Sequence, residues 1–205
     1  YDDPNKNELF GLLVNEGLKR PEQANRDALI NEALMFLLAG HETTSTALTW
    51  TFMNLSKPEN AQYLELLRNE SREVLSGGAP DLEKVRSLKW HKAVMEESMR
   101  LTPPVWIFTR KATADIGFTT GESIENGSVI AVCAYLTHRH PDYWEEPEKF
   151  RPERFYDNRP AVREAFIPFG AGERACIGQG LAMAEGLNTW QGALGEEIEH
   201  CATRR

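Results

Sequence analysis

Cysteine is scarce in this chain: Cys133, Cys176 and Cys201 are the only three among 205 residues, and no two form a CxxC pair. An odd, scattered set argues against a disulfide framework and against a structural zinc cage. Long apolar runs are also missing. The longest, around Ala33 to Gly40, is about one buried helix face, well short of the roughly 18 residues of a membrane span. Basic residues are not in surplus: 23 Lys and Arg face 31 Asp and Glu, and the net charge of −8 gives no electrostatic support for nucleic-acid binding. The start, Tyr1-Asp2-Asp3-Pro4, is acidic and polar, so it lacks the pattern of a signal peptide. It is not Met, and the expectation is that the natural start is missing. Internal repeats, low-complexity tracts and a clean domain linker are absent.

An apolar content of 41% with 26% charged residues reads as globular. The length suits one domain with a sizeable core, or part of a larger one. The first third has helical periodicity. Leu29, Ile30, Ala33, Leu34, Leu37 and Leu38, followed by Leu48, Phe52 and Leu55, predict one long helix from about Ala24 to Leu55. Ser56-Lys57-Pro58-Glu59 has the form of a capping box and opens a second helix ending near Gly77-Gly78. A short helix is expected over Asp81 to Leu88, and another over Trp90 to Leu101, stopped by Pro103-Pro104. Short strands follow at Val105 to Ala112, Ile116 to Thr119 and Ser128 to Ala134, with turns at Gly121 and Asn126-Gly127. From His138 to Gly178 the pattern is irregular, but its aromatic residues predict an ordered, packed segment. A final helix starts after Cys176.

The most informative stretch is Phe169-Gly170-Ala171-Gly172-Glu173-Arg174-Ala175-Cys176-Ile177-Gly178. It presents one cysteine at a helix N-terminus, where the helix dipole and free N–H groups favour negative sulfur, with Arg174 nearby. Such a thiolate suits a nucleophile or a metal ligand. Cys133 reads as a small buried hydrophobe and Cys201 as part of a polar tail. The same stretch also fits the dinucleotide pattern GxGxxA. Pro168 interrupts the strand that pattern needs, however, and no second strand follows.

Three further constellations carry chemistry. Ala39-Gly40-His41-Glu42-Thr43-Thr44 sets an acid and an alcohol beside a mid-helix glycine, which reads either as small packing residues or as a proton relay next to a ligand. The zincin pattern HExxH fails there, because Ser45 stands where the second histidine belongs. In Glu97-Ser98-Met99-Arg100 the acid and the base share a helix face and can pair, with Glu96 competing. In Phe150-Arg151-Pro152-Glu153-Arg154-Phe155, Arg154 can dock on a buried carboxylate such as Glu97.

The order and spacing of these motifs resemble the cytochrome P-450 haem-thiolate monooxygenase family. AGxET in a long helix is followed by ExxR, a PERF-type segment and FxxGxRxCxG. Leu101-Thr102-Pro103-Pro104, His138-Arg139-His140-Pro141 with Trp144, and Ala182 and Glu185 also look like this family. The resemblance runs from about Asn7 to Glu185. It implies a mainly α fold with small β-sheets, the C-terminal half of the family's fold: long distal helix, ExxR helix, meander, cysteine loop and final helix. It also implies one partial domain over 1–205, with 186–205 as an atypical tail whose glycines weaken the helix. Cys176 would be the thiolate ligand of the iron of haem b, donating electron density that favours O–O cleavage. Arg174 would pair with a propionate and Phe169 would pack beside the loop. Gly172 and Gly178 would allow close backbone approach, while Ala39 and Gly40 would leave room for O2. Glu42 and Thr43 would deliver protons. Glu97, Arg100 and Arg154 would form a structural triad. The implied activity is insertion of one oxygen atom from O2 into a small apolar organic substrate, with electrons passed from NAD(P)H by a ferredoxin or a flavoprotein reductase. The alternative is a truncated haem-binding remnant without catalysis. The expected location is cytoplasmic, or membrane-anchored through an N-terminal segment outside this sequence.

Overall fold

A computed structural model describes residues 11, 15, 26–75, 81–156 and 165–189. The chain divides into two units, Tyr1–Thr43 and Thr44–Arg205, with the boundary inside a long helix. That helix, α1, spans Arg26–Leu55. Its buried residues in the second unit, Thr44, Ala47, Thr51, Asn54 and Leu55, recur at steps of three and four and form one face. Threonine hydroxyls bond back one turn along it, from Thr43 to the Ala39 carbonyl, Thr49 to Ser45 and Thr51 to Ala47.

The capping box expected at Ser56 does not form. The Ser56 hydroxyl donates backward to the Met53 carbonyl at 2.9 Å. Lys57 takes the cap position of a 3-10 turn, Pro58–Asn60, without a side-chain bond. Helix α2 then spans Ala61–Leu75. Helix α3, Leu82–Ser87, starts on the Asp81 carboxylate, which accepts the Lys84 N–H at 2.8 Å. Helix α4, Lys89–Leu101, follows Leu88, which offers no side-chain cap. Glu70 on α2 supplies one instead, accepting the N–H groups of Trp90 and His91 at 2.8 and 3.0 Å. It also holds the His91 Nδ1 at 2.7 Å, and the Ser71 hydroxyl meets His91 Nε2 at 3.1 Å. Burial alone would raise the Glu70 carboxyl, but the bonds from the His91 ring and the two backbone N–H groups outweigh it and hold it below its ordinary value.

Two small antiparallel pairs follow. Strand β1 (Phe108–Lys111) pairs with β4 (Val129–Val132), with Phe108 opposite Val132. Strand β2 (Ile116–Gly117) pairs with β3 (Ser123–Ile124). The strands are shorter than the sequence predicts. Residues 105–107 lie outside β1, and Ala134 instead opens a short helix, α5, Ala134–Thr137. Strand β3 has no counterpart in the strand pattern of the sequence. Gly121 and Gly127 turn the chain with left-handed φ of 96° and 85°. Cys133, expected to be buried, is half-buried at the cap of α5. The segment after α5 is irregular apart from α6, Glu153–Tyr156, and a 3-10 turn, Gly172–Arg174. The last helix among the described residues, α7, covers 179–189. Among the described residues no helix is long and apolar enough to cross a membrane. Gly77-Gly78 and the tail beyond 189, with Cys201, lie outside the described residues.

Among the described residues the apolar core has two clusters. Leu55, Tyr63, Leu67, Val94, Leu101 and Phe150 join α1, α2 and α4 to the irregular segment. Ala47, Met95 and Met99 pack with Phe166, Phe169 and Met183, and so carry α7 and the chain leading to Cys176. Gly186 on α7 sits against this second cluster: a Cβ there would come within 2.5 Å of Met95 Cε and 2.7 Å of its Sδ. The glycine that looks helix-weakening in the sequence is therefore where α7 meets α4. Gly186→Ala should destabilise the chain modestly, by about 1 kcal/mol, because the end of the buried Met95 side chain must shift to admit the methyl. In a Met95→Val background the same change should become neutral or stabilising, since only the helix propensity gain of about 1 kcal/mol remains. Urea unfolding of the four-member cycle checks this sign inversion.

Candidate functional site

Helix α4 positions an arginine cage. Arg100 and Glu97 lie one turn apart and both are fully buried. Arg100 Nε and Nη2 donate to Glu97 Oε2 and Oε1 at 2.8 and 2.9 Å, a bidentate pair. Nη1 donates to the carbonyls of His138 and Pro147 at 2.8 and 2.7 Å, and Nη2 to that of Lys149 at 3.2 Å. Every N–H of the guanidinium is thus engaged. The Trp144 ring, itself buried, lies 5.0 Å from the guanidinium carbon. Arg154 Nε donates to Glu97 Oε1 at 3.3 Å, and its Nη2 to the Glu146 carbonyl at 2.9 Å. The Arg151 N–H reaches the same Glu97 oxygen at 2.8 Å. Glu96, the competitor suggested by sequence, instead stands 3.9 Å from Lys92. One short helix thereby fixes backbone from 138 to 154 with little regular structure of its own.

The cage adjoins the cysteine loop through Phe166, whose ring meets those of Trp144, Phe155 and His138. The Gly170 N–H donates to Ile167 O at 3.1 Å, and the Cys176 N–H donates to Phe169 O at 2.8 Å, closing the loop at its neck. Gly170 and Gly172 have left-handed φ of 70° and 71°, so side chains there would be strained. Phe169 is half-buried in the second core cluster and anchors the loop from below. Residues 171–177, including Arg174 and Cys176, are exposed. Ile177 and Leu181, one and five residues after the cysteine, are 89% and 72% exposed. A Cβ on Gly178 would come only to 3.8 Å from Cys176 Sγ, so the loop itself does not demand glycine there.

Among the described residues no cluster of His, Cys, Asp and Glu could hold a bare metal ion. A single thiol cannot hold one either, but it can serve as the one protein ligand of a metal whose other positions belong to a prosthetic group. The exposed cysteine, the open space at Gly172 and the exposed apolar side chains of Ile177 and Leu181 fit a flat, largely apolar macrocycle.

Ala39, Gly40, Glu42 and Thr43 belong to the first unit. There α1 continues through Gly40 without interruption, and the Thr43 hydroxyl donates to the Ala39 carbonyl at 2.5 Å. Sequence reasoning missed two features: the buried His138, present only as part of a motif, and the Glu70–His91–Ser71 joint. Neither has a spacing signal, because each joins segments far apart in the chain.

The fold and the loop define a protein built to present one cysteine from a glycine-turned loop at a helix start. The cytochrome P450 family profile matches residues 3–187, and the chain belongs to that family. It is similar to cytochrome P450 4F6 of Rattus norvegicus, 37% identical over 75% of this chain and 29% of the relative. It is also similar to the ultra-long-chain fatty acid omega-hydroxylase of Homo sapiens, 38% identical over 75% of this chain and 30% of the relative. Leukotriene-B4 omega-hydroxylase 3 of Mus musculus is 36% identical over 85% of this chain and 34% of the relative. The chain spans about a third of the length of these curated relatives.

Proposed function

We propose that this chain serves a haem-dependent monooxygenase reaction in which Cys176 is the thiolate ligand of haem b. The observation that carries this reading is a thiol, the one exposed cysteine among the described residues, on a loop braced by Phe169 and turned by Gly170 and Gly172. When bound, the haem iron would activate O2, with one oxygen atom entering the substrate and the other leaving as water; two electrons and two protons balance the step. Arg174 is the cation proposed to pair with a propionate. Gly172 and Gly178 leave the loop backbone open to the macrocycle, and Ala39 and Gly40 keep side-chain bulk away from where O2 would bind. Thr43, its hydroxyl oriented by the Ala39 carbonyl, is proposed to pass protons together with Glu42. Glu97, Arg100 and Arg154 touch no reacting group and hold the loop's foundation. Electrons derive from NAD(P)H through a ferredoxin or a flavoprotein reductase. The omega-hydroxylase names of the relatives suggest an acyl-chain substrate.

The test supplies haem, a reductase system, a long-chain fatty acid and isotopically labelled dioxygen. One labelled oxygen atom per product molecule is expected. Thr43→Ala should cut product per electron consumed by about tenfold or more, with haem binding intact. Haem bound without labelled product would overturn the monooxygenase reading and return the catalytically incompetent remnant.

A further inference from the structure

The His138 side chain stands apart from the chemistry proposed above, yet it lies on the path between the arginine cage and Cys176. It is completely buried. Its carbonyl accepts from Arg100 Nη1 at 2.8 Å, while its ring Nε2 accepts the Ile167 N–H at 2.9 Å. The ring also tilts against Phe166 at 5.2 Å. Beyond Ile167 the bonds continue: the Ile167 carbonyl takes the Gly170 N–H, and the Phe169 carbonyl takes the Cys176 N–H. One residue therefore joins both ends of a hydrogen-bonded path from Glu97 and Arg100 to the ligand loop. We infer that His138 is a positioning residue for the cysteine loop, setting it by accepting the Ile167 N–H with a neutral ring.

The chemistry of imidazole makes that bond conditional. A backbone N–H can only donate, so Nε2 must be the acceptor and Nδ1 must carry the proton. Nδ1 is buried and has no bond of ordinary geometry among the described residues. Protonating the ring would turn Nε2 into a second donor facing the Ile167 N–H, and the bond would be lost. The charged groups facing the ring are the guanidinium of Arg100 on α4, paired with Glu97, and that of Arg139 in its own turn. From the loop side it meets the apolar Phe166 and Ile167. Burial opposes protonation most, both cations add to it, and the ring is pushed down to about 4. The neutral form, and the bond, therefore prevail near neutral pH.

The test uses three forms of the chain, wild type, His138→Phe and His138→Gln. Phenylalanine keeps a ring against Phe166 but removes the acceptor; the glutamine Oε1 reaches about as far as Nε2 and restores it. The first readout is amide hydrogen exchange without haem, expressed as protection relative to the free-peptide rate. His138→Phe should lower protection at Ile167 and Cys176 by about tenfold or more at pH 7, leaving Lys89–Leu101 unchanged, while His138→Gln stays close to wild type. At pH 4, where about half the rings are protonated, the wild type should lose about twofold in protection at Ile167 and Cys176, and His138→Gln should not. The second readout, which rests on the haem-thiolate reading, is the reduced carbon monoxide spectrum: His138→Phe should lose much of its thiolate-type band and His138→Gln should keep it. Unchanged loop protection in folded His138→Phe overturns the inference. If that variant does not fold, equal loss at pH 4 in wild type and His138→Gln overturns it instead. Absence of the band in wild type would count against the haem reading alone, because the exchange result does not depend on haem.

Discussion

Glu97→Ala should cost the chain about 3–5 kcal/mol, a large part of the roughly 5–15 kcal/mol that holds a typical domain folded. The Glu97 carboxylate receives Arg100 Nε and Nη2, Arg154 Nε and the Arg151 N–H. Without it, two guanidiniums remain buried side by side, one of them 0% and the other 8% exposed. Water cannot reach Arg100 to replace what is lost, and like charges then face each other across the cage. Arg100→Lys should cost nearly as much. An ammonium has three donors and no fork, so it cannot hold both Glu97 oxygens and the carbonyls of His138, Pro147 and Lys149. Arg154→Ala should be milder, about 1–2 kcal/mol, because it removes one long bond to Glu97 and one to a carbonyl. Urea unfolding followed by far-ultraviolet circular dichroism measures all three. A loss below about 1 kcal/mol for Glu97→Ala would mean that the cage is not the foundation of the loop.

Acid should weaken the fold before most carboxylates titrate. Burial is the first cause of the low His138 value. The carbonyls of Arg100 and Met99 pull the other way, and the guanidiniums of Arg100 and Arg139 add to the depression, leaving the ring at about 4 against an ordinary 6.5. The unfolded chain thus takes up the proton first as the pH falls. Stability from the neutral ring is complete above pH 6.5 and is lost progressively down to about pH 4. At roughly 1.4 kcal/mol per unit, the loss approaches 3 kcal/mol. Glu70 acts in a lower window. Its carboxyl is held below the ordinary 4.5, so the stability it gives is present above that value and fades as the pH falls further. Urea midpoints from pH 7.5 to 4 should fall steeply in wild type. His138→Gln and His138→Phe should flatten the upper part of that slope, whatever they cost at pH 7. A wild-type stability that is level between pH 6.5 and 4.5 would contradict the burial of a neutral ring.

The helices were legible because their signals are local. Leu29 to Leu55 repeats at helical spacing, Asp81 caps α3, and Pro103-Pro104 ends α4. Ser56 misled because a capping box is only a spacing; the serine hydroxyl had the Met53 carbonyl within reach one turn back and took it. The ends of β1 and β4 were overdrawn because apolar residues beside a two-stranded ribbon look like strand without having a partner to pair with. At the site, the cysteine loop was readable from its glycines and its single thiol. The pairing of Glu97 with Arg100 was readable as a helix-face pair, but its burial was not. That burial comes from Trp144 and the backbone around 138–149, some forty residues away, and no spacing encodes it. His138 and Gly186 were hidden for the same reason: one accepts a bond from Ile167, the other makes room for Met95.

Cys176 is proposed to bind haem iron through its thiolate. The direct measurement is the carbon monoxide difference spectrum of the reduced, haem-loaded chain beside that of Cys176→Ser. A thiolate-type Soret band in the first and its complete loss in the second is the expected result. The same band in both, or haem uptake without that band in the unsubstituted chain, would contradict it.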